Sequence, residues 1–212
     1  MKGSPIREAA AAVADGELIV FPTDTVYGIG TRPDDAQATA RLFEAKRRPR
    51  DLELPVLAAT QEALRAIAVF DRRADHLAAA CWPGPLTIIL ARTPQSAGWE
   101  LGGDPGTVGV RVPKHPLALA VLAATGPMAV TSANLSGEPP ALSCDDLERA
   151  FGDLVSFYLC QESPLEGPAS TVVDLTGDPA QVLRPGALPY DALARSMPAG
   201  ESLLDSRPLP GK

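Results

Sequence analysis

Two short polar signatures in this chain pair side chains that could hold an anion. Lys46 and Arg48 stand two positions apart before Pro49, and Ser132 and Asn134 have the same spacing after the apolar segment MAVT. Side chains at positions i and i+2 of an extended segment point to the same side, so each pair can contact one ligand. Cations, a hydroxyl and a carboxamide suit phosphate oxygens or a ribose, although a simple Ser/Asn turn also explains the second pair.

The segment KRRP makes a sharper prediction about its three cations. Proline disfavours helical backbone for the residue before it, so we expect the preceding helix to end here and Arg48 to be extended. Lys46 and Arg48 would then face a ligand while Arg47 points away. The alternative is that these cations simply stabilise a helix C-terminus through the helix dipole.

Further polar groups stand where apolar strands end. The run LIVF stops at PTDT, which contains Thr23 and Asp24, and Ser170 and Arg184 lie at the edges of STVVDL and LRPG. Open sheets place ligand sites at such junctions. Arg111 lies within the apolar segment VGVRVP, which is costly unless the guanidinium is paired with an acid or faces a site; both readings stay open. Asp24 could be an acid/base group or a magnesium ligand.

The chain lacks the common signatures of a protein nucleophile, a phosphate loop or a metal centre. No Walker A, GxGxxG, HExxH or GxSxG segment is present. His76 and His115 give little support to a histidine-based triad. Cys81, Cys144 and Cys160 are widely spaced without a CxxC pair, so we expect buried free thiols in a reducing cytoplasm rather than structural zinc.

Length and composition describe an ordinary globular protein. The 212 residues fit one domain, and 45% of them are hydrophobic and 21% charged. A net charge of -7 argues against a dedicated nucleic-acid binder, yet it leaves room for a local basic pocket. There is no secretory signal and no apolar run near the ~18 residues of a membrane span, so we expect a cytoplasmic protein.

Helical and strand patterns alternate along the chain. Apolar periodicity and capping residues predict helices near 5–15, 35–47, 60–68, 72–80 and 115–125, with a weaker helix start at Ser143. Strands are predicted at 17–22, 53–58, 85–92, 107–112, 128–132, 155–159, 169–175 and 180–184. The pattern indicates one folded domain over residues 1–188, followed by a poorly ordered tail over 189–212.

Taken together and in order, these motifs resemble the YrdC/TsaC family of threonylcarbamoyl-AMP synthases. The similar segments cover about residues 5–188, and the KxR and SxN signatures of the family are both present. The matching segments are PTDTVYGIG at 22–30, KRRP at 46–49, WPGPLTIIL at 82–90, TVGVRVPKHP at 107–116, TSANLSG at 131–137, STVVDL at 170–175 and LRPG at 183–186.

The resemblance implies a mixed α/β fold: a twisted mixed sheet of about seven strands, flanked by helices, with a concave, positively charged cavity. It also implies that L-threonine, bicarbonate and ATP give threonylcarbamoyl-AMP and pyrophosphate. Mg²⁺ would arrive with ATP. The product would pass to the tRNA threonylcarbamoyl transferase machinery that modifies adenosine 37, with at most weak direct binding of tRNA by this protein. Because the threonine carbamate itself attacks the α-phosphate, no protein nucleophile is required.

The resemblance also assigns roles to individual residues by position. Thr23, Arg111 and Ser170 would bind threonine. Lys46, Arg48, Thr107, Ser132, Asn134 and Arg184 would bind ATP, with Lys46 and Arg48 as the catalytic cations, and no residue is assigned as a metal ligand.

Two departures from the family pattern leave alternatives open. Many relatives have a histidine where Leu57 stands in RDLELPVL, and the chain ends at Lys212 without the second domain of longer members. A non-catalytic YrdC-like module that binds RNA or regulates translation is one alternative. A carbamoyl-adenylate-forming role, as in hydrogenase maturation proteins with a similar domain, is another.

Overall fold

The computed structural model describes residues 4–161, 165 and 167–205, which build one large mixed sheet with helices on both faces. The mixed α/β class is as expected, but the sheet has ten strands rather than about seven. In chain order, β1 to β10 are Ile19–Phe21, Gly28–Thr31, Val56–Leu57, Leu86–Ala91, Thr107–Arg111, Met128–Ser132, Phe157–Tyr158, Thr171–Asp174, Ala180–Arg184 and Leu203–Leu204. Across the sheet the order is β10-β9-β8-β4-β5-β3-β6-β2-β1-β7.

Six of the seven helices in the described residues lie close to the predicted positions, and side-chain caps fix where several of them begin. The seventh, Tyr190–Arg195, falls in the segment that was predicted to be a poorly ordered tail. The carboxylate of Asp35 accepts hydrogen bonds from two backbone N–H groups, and Thr60, Asp71 and Ser143 each accept one. Among the described residues, no helix is long and apolar enough to cross a membrane. Helices α1 to α7 are Pro5–Ala14, Ala36–Ala45, Gln61–Arg65, Arg72–Cys81, Pro116–Thr125, Cys144–Phe151 and Tyr190–Arg195.

Strand β1 is buried on both faces, which explains its continuous apolar sequence. Leu18 and Val20 pack into the larger core on one face of the sheet, together with residues of α2, α3, α4, α6 and α7. Ile19 and Phe21 point the opposite way, into a second core that includes residues of α1 and α5. The sheet is therefore the middle layer of a three-layer packing at this end.

The other end of the sheet leaves one face open. Ile88 of β4 and Val110 of β5 are fully buried in the larger core. Their neighbours Thr87, Gly109 and Arg111 alternate to the opposite side and line a cavity instead. The half of the sheet that α1 and α5 do not cover thus becomes the floor of a site.

The segment after PTDT contains a strand that the sequence interpretation treated as a loop. Gly28 opens β2, which pairs antiparallel with both β1 and β6. A Cβ atom on Gly30 would lie 2.6 Å from the Ala129 carbonyl oxygen, and one on Gly28 would lie 2.7 Å from a methyl group of Val130. The glycines are needed for close packing of β2 against β6, not for a turn.

Part of the 189–212 tail is regularly structured, contrary to the expectation of poor order. Helix α7 buries Leu193 completely in the larger core, and β10 pairs in parallel with β9. The hydroxyl of Tyr190 donates to the backbone oxygen of Leu203, which joins the two elements. Residues 206–212 lie outside the described part of the chain, so the expectation for them stays a prediction.

The prediction of three free thiols is wrong for two of the cysteines. Cys144, at the start of α6, and Cys160, just after β7, form a disulfide with a Cα–Cα distance of 5.9 Å, which lies within the usual disulfide range. Sequence spacing gave no sign of it because the pairing depends on how α6 packs beside the end of β7. Cys81 is free, and burial raises the pKa of its thiol.

Candidate active site

The open face of the sheet holds a cavity of about 360 Å³, a size typical of small-molecule sites. Six of the predicted site residues line it: Thr23, Arg48, Arg111, Ser132, Ser170 and Arg184. Lys46 and Asn134 are not on the wall but contact Ser132 directly. Thr107 does not line the cavity. The fold therefore gathers residues from distant parts of the chain around one concave surface.

The KxR and SxN signatures meet in one hydrogen-bond cluster. The Nζ atom of buried Lys46 donates to the Ser132 backbone oxygen at 2.6 Å and to the backbone oxygen of Asn134. The Ser132 hydroxyl donates to Asn134 Oδ1 at 2.6 Å. Burial, together with the nearby charge of Arg48, lowers the pKa of Lys46 to about 7. Both the ammonium and the neutral amine forms of Lys46 are therefore accessible near neutral pH.

In the KRRP segment Arg47 and Arg48 point as predicted, but Lys46 does not reach the cavity wall and the backbone is not the predicted one. Lys46 is buried, Arg48 lines the cavity and Arg47 is exposed. The cause is a helix-ending Schellman motif: Arg47 adopts a left-handed φ of 50°, and the Arg48 N–H donates back to the Phe43 oxygen at 2.9 Å. The argument from an extended i, i+2 segment is therefore wrong, because a single left-handed residue reverses the chain.

Arg48 is held by the backbone that follows it. Its Nε donates to the Leu52 oxygen at 3.2 Å, and its Nη2 donates to the Glu53 oxygen at 2.9 Å. Burial lowers the pKa of this guanidinium, but both contacts are to neutral carbonyls. The charge of nearby Asp51 opposes this lowering of the pKa, but none of the ion pairs among the described residues includes Arg48, so its guanidinium can bind an anion in the cavity.

Arg111 is fixed at three points at the end of β5. Its Nε donates to the Gly84 oxygen at 3.0 Å, its Nη1 to Thr25 Oγ1 at 3.2 Å and its Nη2 to Asp24 Oδ1 at 2.6 Å. The sequence left two interpretations open for this buried arginine, a pair with an acid or a place in a site, and both are correct. Arg111 is paired with Asp24 and also lines the cavity. Asp24 in turn accepts the backbone N–H of Lys114 at 2.9 Å.

A third guanidinium lies beside the hydroxyl groups of β8 and β4. Arg184 Nη2 donates to the Ser170 backbone oxygen at 2.8 Å and to its hydroxyl at 3.1 Å. The Ser170 hydroxyl is also 2.9 Å from the hydroxyl of Thr87. Burial lowers the pKa of Arg184, and the charges of Arg111 and Arg48 lower it further. Three guanidinium groups therefore share this space and can bind an anionic ligand, and the lining also includes the carboxyl groups of Asp51, Glu53 and Asp104.

The hydroxyl groups of Thr23 and Thr107 form hydrogen bonds with backbone groups close to them in the sequence. The Thr23 hydroxyl donates to the Val26 oxygen at 2.6 Å and accepts the Val26 N–H at 3.3 Å, which closes the turn between β1 and β2. The Thr107 hydroxyl donates to the Asp104 oxygen at 3.4 Å. Thr23 still borders the cavity, whereas the expected proximity of Thr107 to a ligand is not met by its side chain.

Glu53 is a cavity residue that sequence reasoning missed. Its Oε1 is buried without a hydrogen-bond partner, 4.0 Å from Arg92 Nη2, and burial raises the pKa of this carboxyl to about 7. Nothing in RDLELP distinguishes it from a surface acid, because its burial depends on the packing of the 103–109 segment. Thr87 was also missed, although a lone hydroxyl at an alternate position of LTIIL is a usable signal.

Leu57 occupies the position at which many relatives were expected to have a histidine. It lines the cavity, is buried, and pairs in register with Arg111 across β3 and β5. The wall beside Arg111 is therefore apolar, and Leu57 offers no hydrogen bond to a ligand. Among the described residues there is no group of three or more His, Cys, Asp and Glu side chains that could hold a metal ion.

Comparison with known proteins agrees with this geometry. Residues 11–186 match the model of the Sua5/YciO/YrdC family, whose description is "Telomere recombination". A relative from Mycobacterium tuberculosis is 40% identical over 190 residues, covering 89% of this chain and 87% of its own length. A Pyrococcus abyssi protein named threonylcarbamoyl-AMP synthase is 38% identical over 192 residues, covering 90% of this chain and 56% of its own length.

A solved structure extends the likeness to three dimensions. P. abyssi Sua5 complexed with L-threonine superposes with a TM-score of 0.84 at 34% identity, covering 96% of this chain and 61% of that chain. The present chain thus spans about three-fifths of that protein. The family match over most of the sequence, the shared fold and the cationic cavity lead to one conclusion: the chain belongs to the Sua5/YciO/YrdC family.

Proposed function

We propose that this protein is an L-threonylcarbamoyladenylate synthase, a nucleotidyltransferase that joins threonine, bicarbonate and ATP. One observation carries the proposal: Arg48, Arg111 and Arg184 converge on one cavity beside the Lys46 cluster. The names of the relatives and the threonine complex of P. abyssi Sua5 support the same activity.

The proposed reaction needs positioned cations rather than a protein nucleophile. The amino group of threonine takes up the carbon of bicarbonate with loss of water and forms a carbamate. A carbamate oxygen then attacks the α-phosphorus of ATP, a new P–O bond forms, and the bond to pyrophosphate breaks. Negative charge develops on the phosphate oxygens, so fixed guanidinium and ammonium groups would stabilise the transition state.

The residues divide between the two substrates. Arg111 would bind the threonine carboxylate, because a guanidinium matches a carboxylate with two parallel hydrogen bonds; Ser170 and Thr23 border the same space. Lys46 and Arg48 would act on the phosphates. Ser132, Asn134, Arg184 and Thr107 are the other nucleotide-binding candidates, of which Thr107 has the least geometric support.

Mg²⁺ would be bound mainly by the triphosphate of ATP and would neutralise part of its charge. The donor set fits this arrangement, because the described residues contain no group of three or more His, Cys, Asp and Glu side chains that could hold the ion by themselves, whereas Arg48 can bind the phosphates. The protein's own residues would orient the phosphates and exclude water. The product would be handed to a tRNA threonylcarbamoyl transferase, and the expected cytoplasmic location belongs to the same proposal.

The test is a substrate-omission assay with purified protein, Mg·ATP, labelled bicarbonate and each amino acid. We expect labelled adenylate and pyrophosphate only when threonine and bicarbonate are both present. Equal pyrophosphate release from ATP alone would contradict the synthase proposal and leave a nucleotidase. In a parallel reaction without amino acid, formation of an adenylate from ATP and added carbamoyl phosphate would instead favour the carbamoyl-adenylate role.

A further inference from the structure

Asp24 contacts Arg111 beside the cavity and has no role in the reaction described above. Its side chain is 12% exposed and its Oδ1 lies 2.6 Å from Nη2 of Arg111, whose side chain is 6% exposed. The same Oδ1 accepts the backbone N–H of Lys114, so it ties the β1–β2 turn to the chain after β5. A charge-assisted bond of this length in a poorly hydrated place is strong.

The contacts of Arg111 leave a specific pair of donors. A guanidinium has five N–H groups. Nε–H is taken by the Gly84 oxygen, one N–H of Nη1 by Thr25 and one N–H of Nη2 by Asp24. Within the described chain, one N–H on each Nη atom therefore remains, on a residue that lines the cavity. Two such donors match the two oxygens of a carboxylate.

We propose that Asp24 is a positioning residue that holds the Arg111 guanidinium ready for the carboxylate of the amino acid substrate. This inference rests on the proposed function. Without Asp24, the guanidinium would be a buried cation without a compensating charge and would turn toward water or lose its orientation. With Asp24, Arg111 is fixed before the substrate arrives, so that binding does not have to order it.

The experiment compares steady-state kinetics of the wild type, Asp24→Asn and a matched control. Asp34→Asn is the control, because Asp34 pairs with Arg32 at 2.8 Å on the surface. We expect Asp24→Asn to raise KM for threonine about tenfold, the size of one lost charge-assisted contact. KM for ATP should change less than about twofold, whereas the melting temperature should fall because buried Arg111 loses its compensating charge. Asp34→Asn should leave both KM values unchanged.

The Asp24→Glu variant tests whether the charge or the shape of the Asp24 side chain is important. It keeps a carboxylate that can still reach Arg111, so positioning predicts that much of the threonine affinity returns, whereas a purely steric role predicts further loss. Parallel rises in both KM values would overturn the proposal in favour of a purely structural role, because lost orientation of Arg111 should affect threonine alone. Tighter threonine binding by Asp24→Asn would also overturn it, because Asp24 would then compete with the substrate for Arg111.

Failure of the proposed function can be told apart from failure of this inference. If the wild type forms no adenylate, the synthase proposal fails. Threonine binding to wild type and Asp24→Asn, measured by isothermal titration calorimetry, then still decides the role of Asp24. Weaker binding by the variant supports positioning, equal binding overturns it, and no binding by the wild type overturns both.

Discussion

At the scale of single residues, the three cations of KRRP have different surroundings, so their removal should have different effects. Lys46 and Arg48 are directed inward, whereas Arg47 is exposed. Because a charge-assisted contact to phosphate contributes roughly 1.5–3 kcal/mol, Lys46→Ala and Arg48→Ala should each lower adenylate formation by about 10- to 100-fold. Arg47→Ala should change it less than about threefold.

The measurement is initial-rate adenylate formation for the three purified variants, with circular dichroism to verify that each is folded. Arg48 also donates to the backbone oxygens of Leu52 and Glu53, so its folding control matters most. Equal losses for Arg47→Ala and Arg48→Ala would show that the assignment of inward and outward cations is incorrect.

Lys46 should make ATP binding depend on pH. Its pKa is lowered to about 7, so the free protein loses this proton as the pH rises above 7, while a bound triphosphate favours the ammonium and raises the pKa. ATP binding above pH 7 should therefore take up a proton, and the affinity should fall about tenfold between roughly pH 7 and 8.5. Lys46→Arg, which stays protonated, should have a flatter profile.

Titration calorimetry in buffers of different ionisation enthalpy measures that proton uptake directly. Threonine is omitted so that no reaction occurs. An ATP affinity that is independent of pH in the wild type would mean that Lys46 remains an ammonium in the free protein. In that case burial does not lower its pKa to the expected extent.

At the scale of elements, the backbone at the end of α2 is strained at Arg47, and a glycine at this position would relieve the strain. Arg47 is the non-glycine residue among those described that has a positive φ, at 50°. A left-handed residue other than glycine costs about 1–2 kcal/mol, and the greater freedom of glycine in the unfolded chain offsets part of the gain. Arg47→Gly should therefore stabilise the protein by about 0.5–1 kcal/mol.

Urea unfolding of Arg47→Gly and Arg47→Ala provides the measurement. Alanine retains a Cβ atom and should not share the stabilisation, so it is the matched control. A loss of stability in Arg47→Gly would mean that the Schellman turn after α2 is not populated in solution.

Helix α7 should contribute to stability although it lies in a segment expected to be poorly ordered. Leu193 is fully buried, whereas Leu204 of β10 is 44% exposed. Leu193→Ala should lower the free energy of unfolding by about 2–5 kcal/mol, and Leu204→Ala by less than about 0.5 kcal/mol. Similar small effects from both, measured by thermal unfolding, would restore the expectation of a poorly ordered tail.

Most elements could be predicted because local chemistry marks them. Asp35, Thr60 and Ser143 cap helices where the sequence indicates. Strand β2 was missed because the glycines at 28 and 30 suggest a loop, and only the proximity of β6 explains them. The burial of Glu53 and the Cys144 disulfide arise from packing between distant segments, so neither has a local sequence signature.

At the scale of the whole molecule, charge is distributed unevenly. The net charge is -7, yet Arg48, Arg111 and Arg184 concentrate positive charge in one cavity. Such a distribution favours a small polyanion over a long one, because tRNA would also meet the acidic exterior. We expect only weak tRNA binding at physiological salt. Filter binding at several salt concentrations tests this, and sub-micromolar affinity that survives moderate salt would revive the RNA-binding alternative.

The order of strands in the sheet also bears on how the chain matures during synthesis. Strand β4 pairs with β5 on one side and with the much later β8 on the other, and Arg184 comes from the end of β9. A ribosome-bound chain therefore cannot complete the cavity until nearly all of the described residues have emerged. Nascent and prematurely terminated chains should be catalytically silent, so that a reactive adenylate is made only by finished molecules.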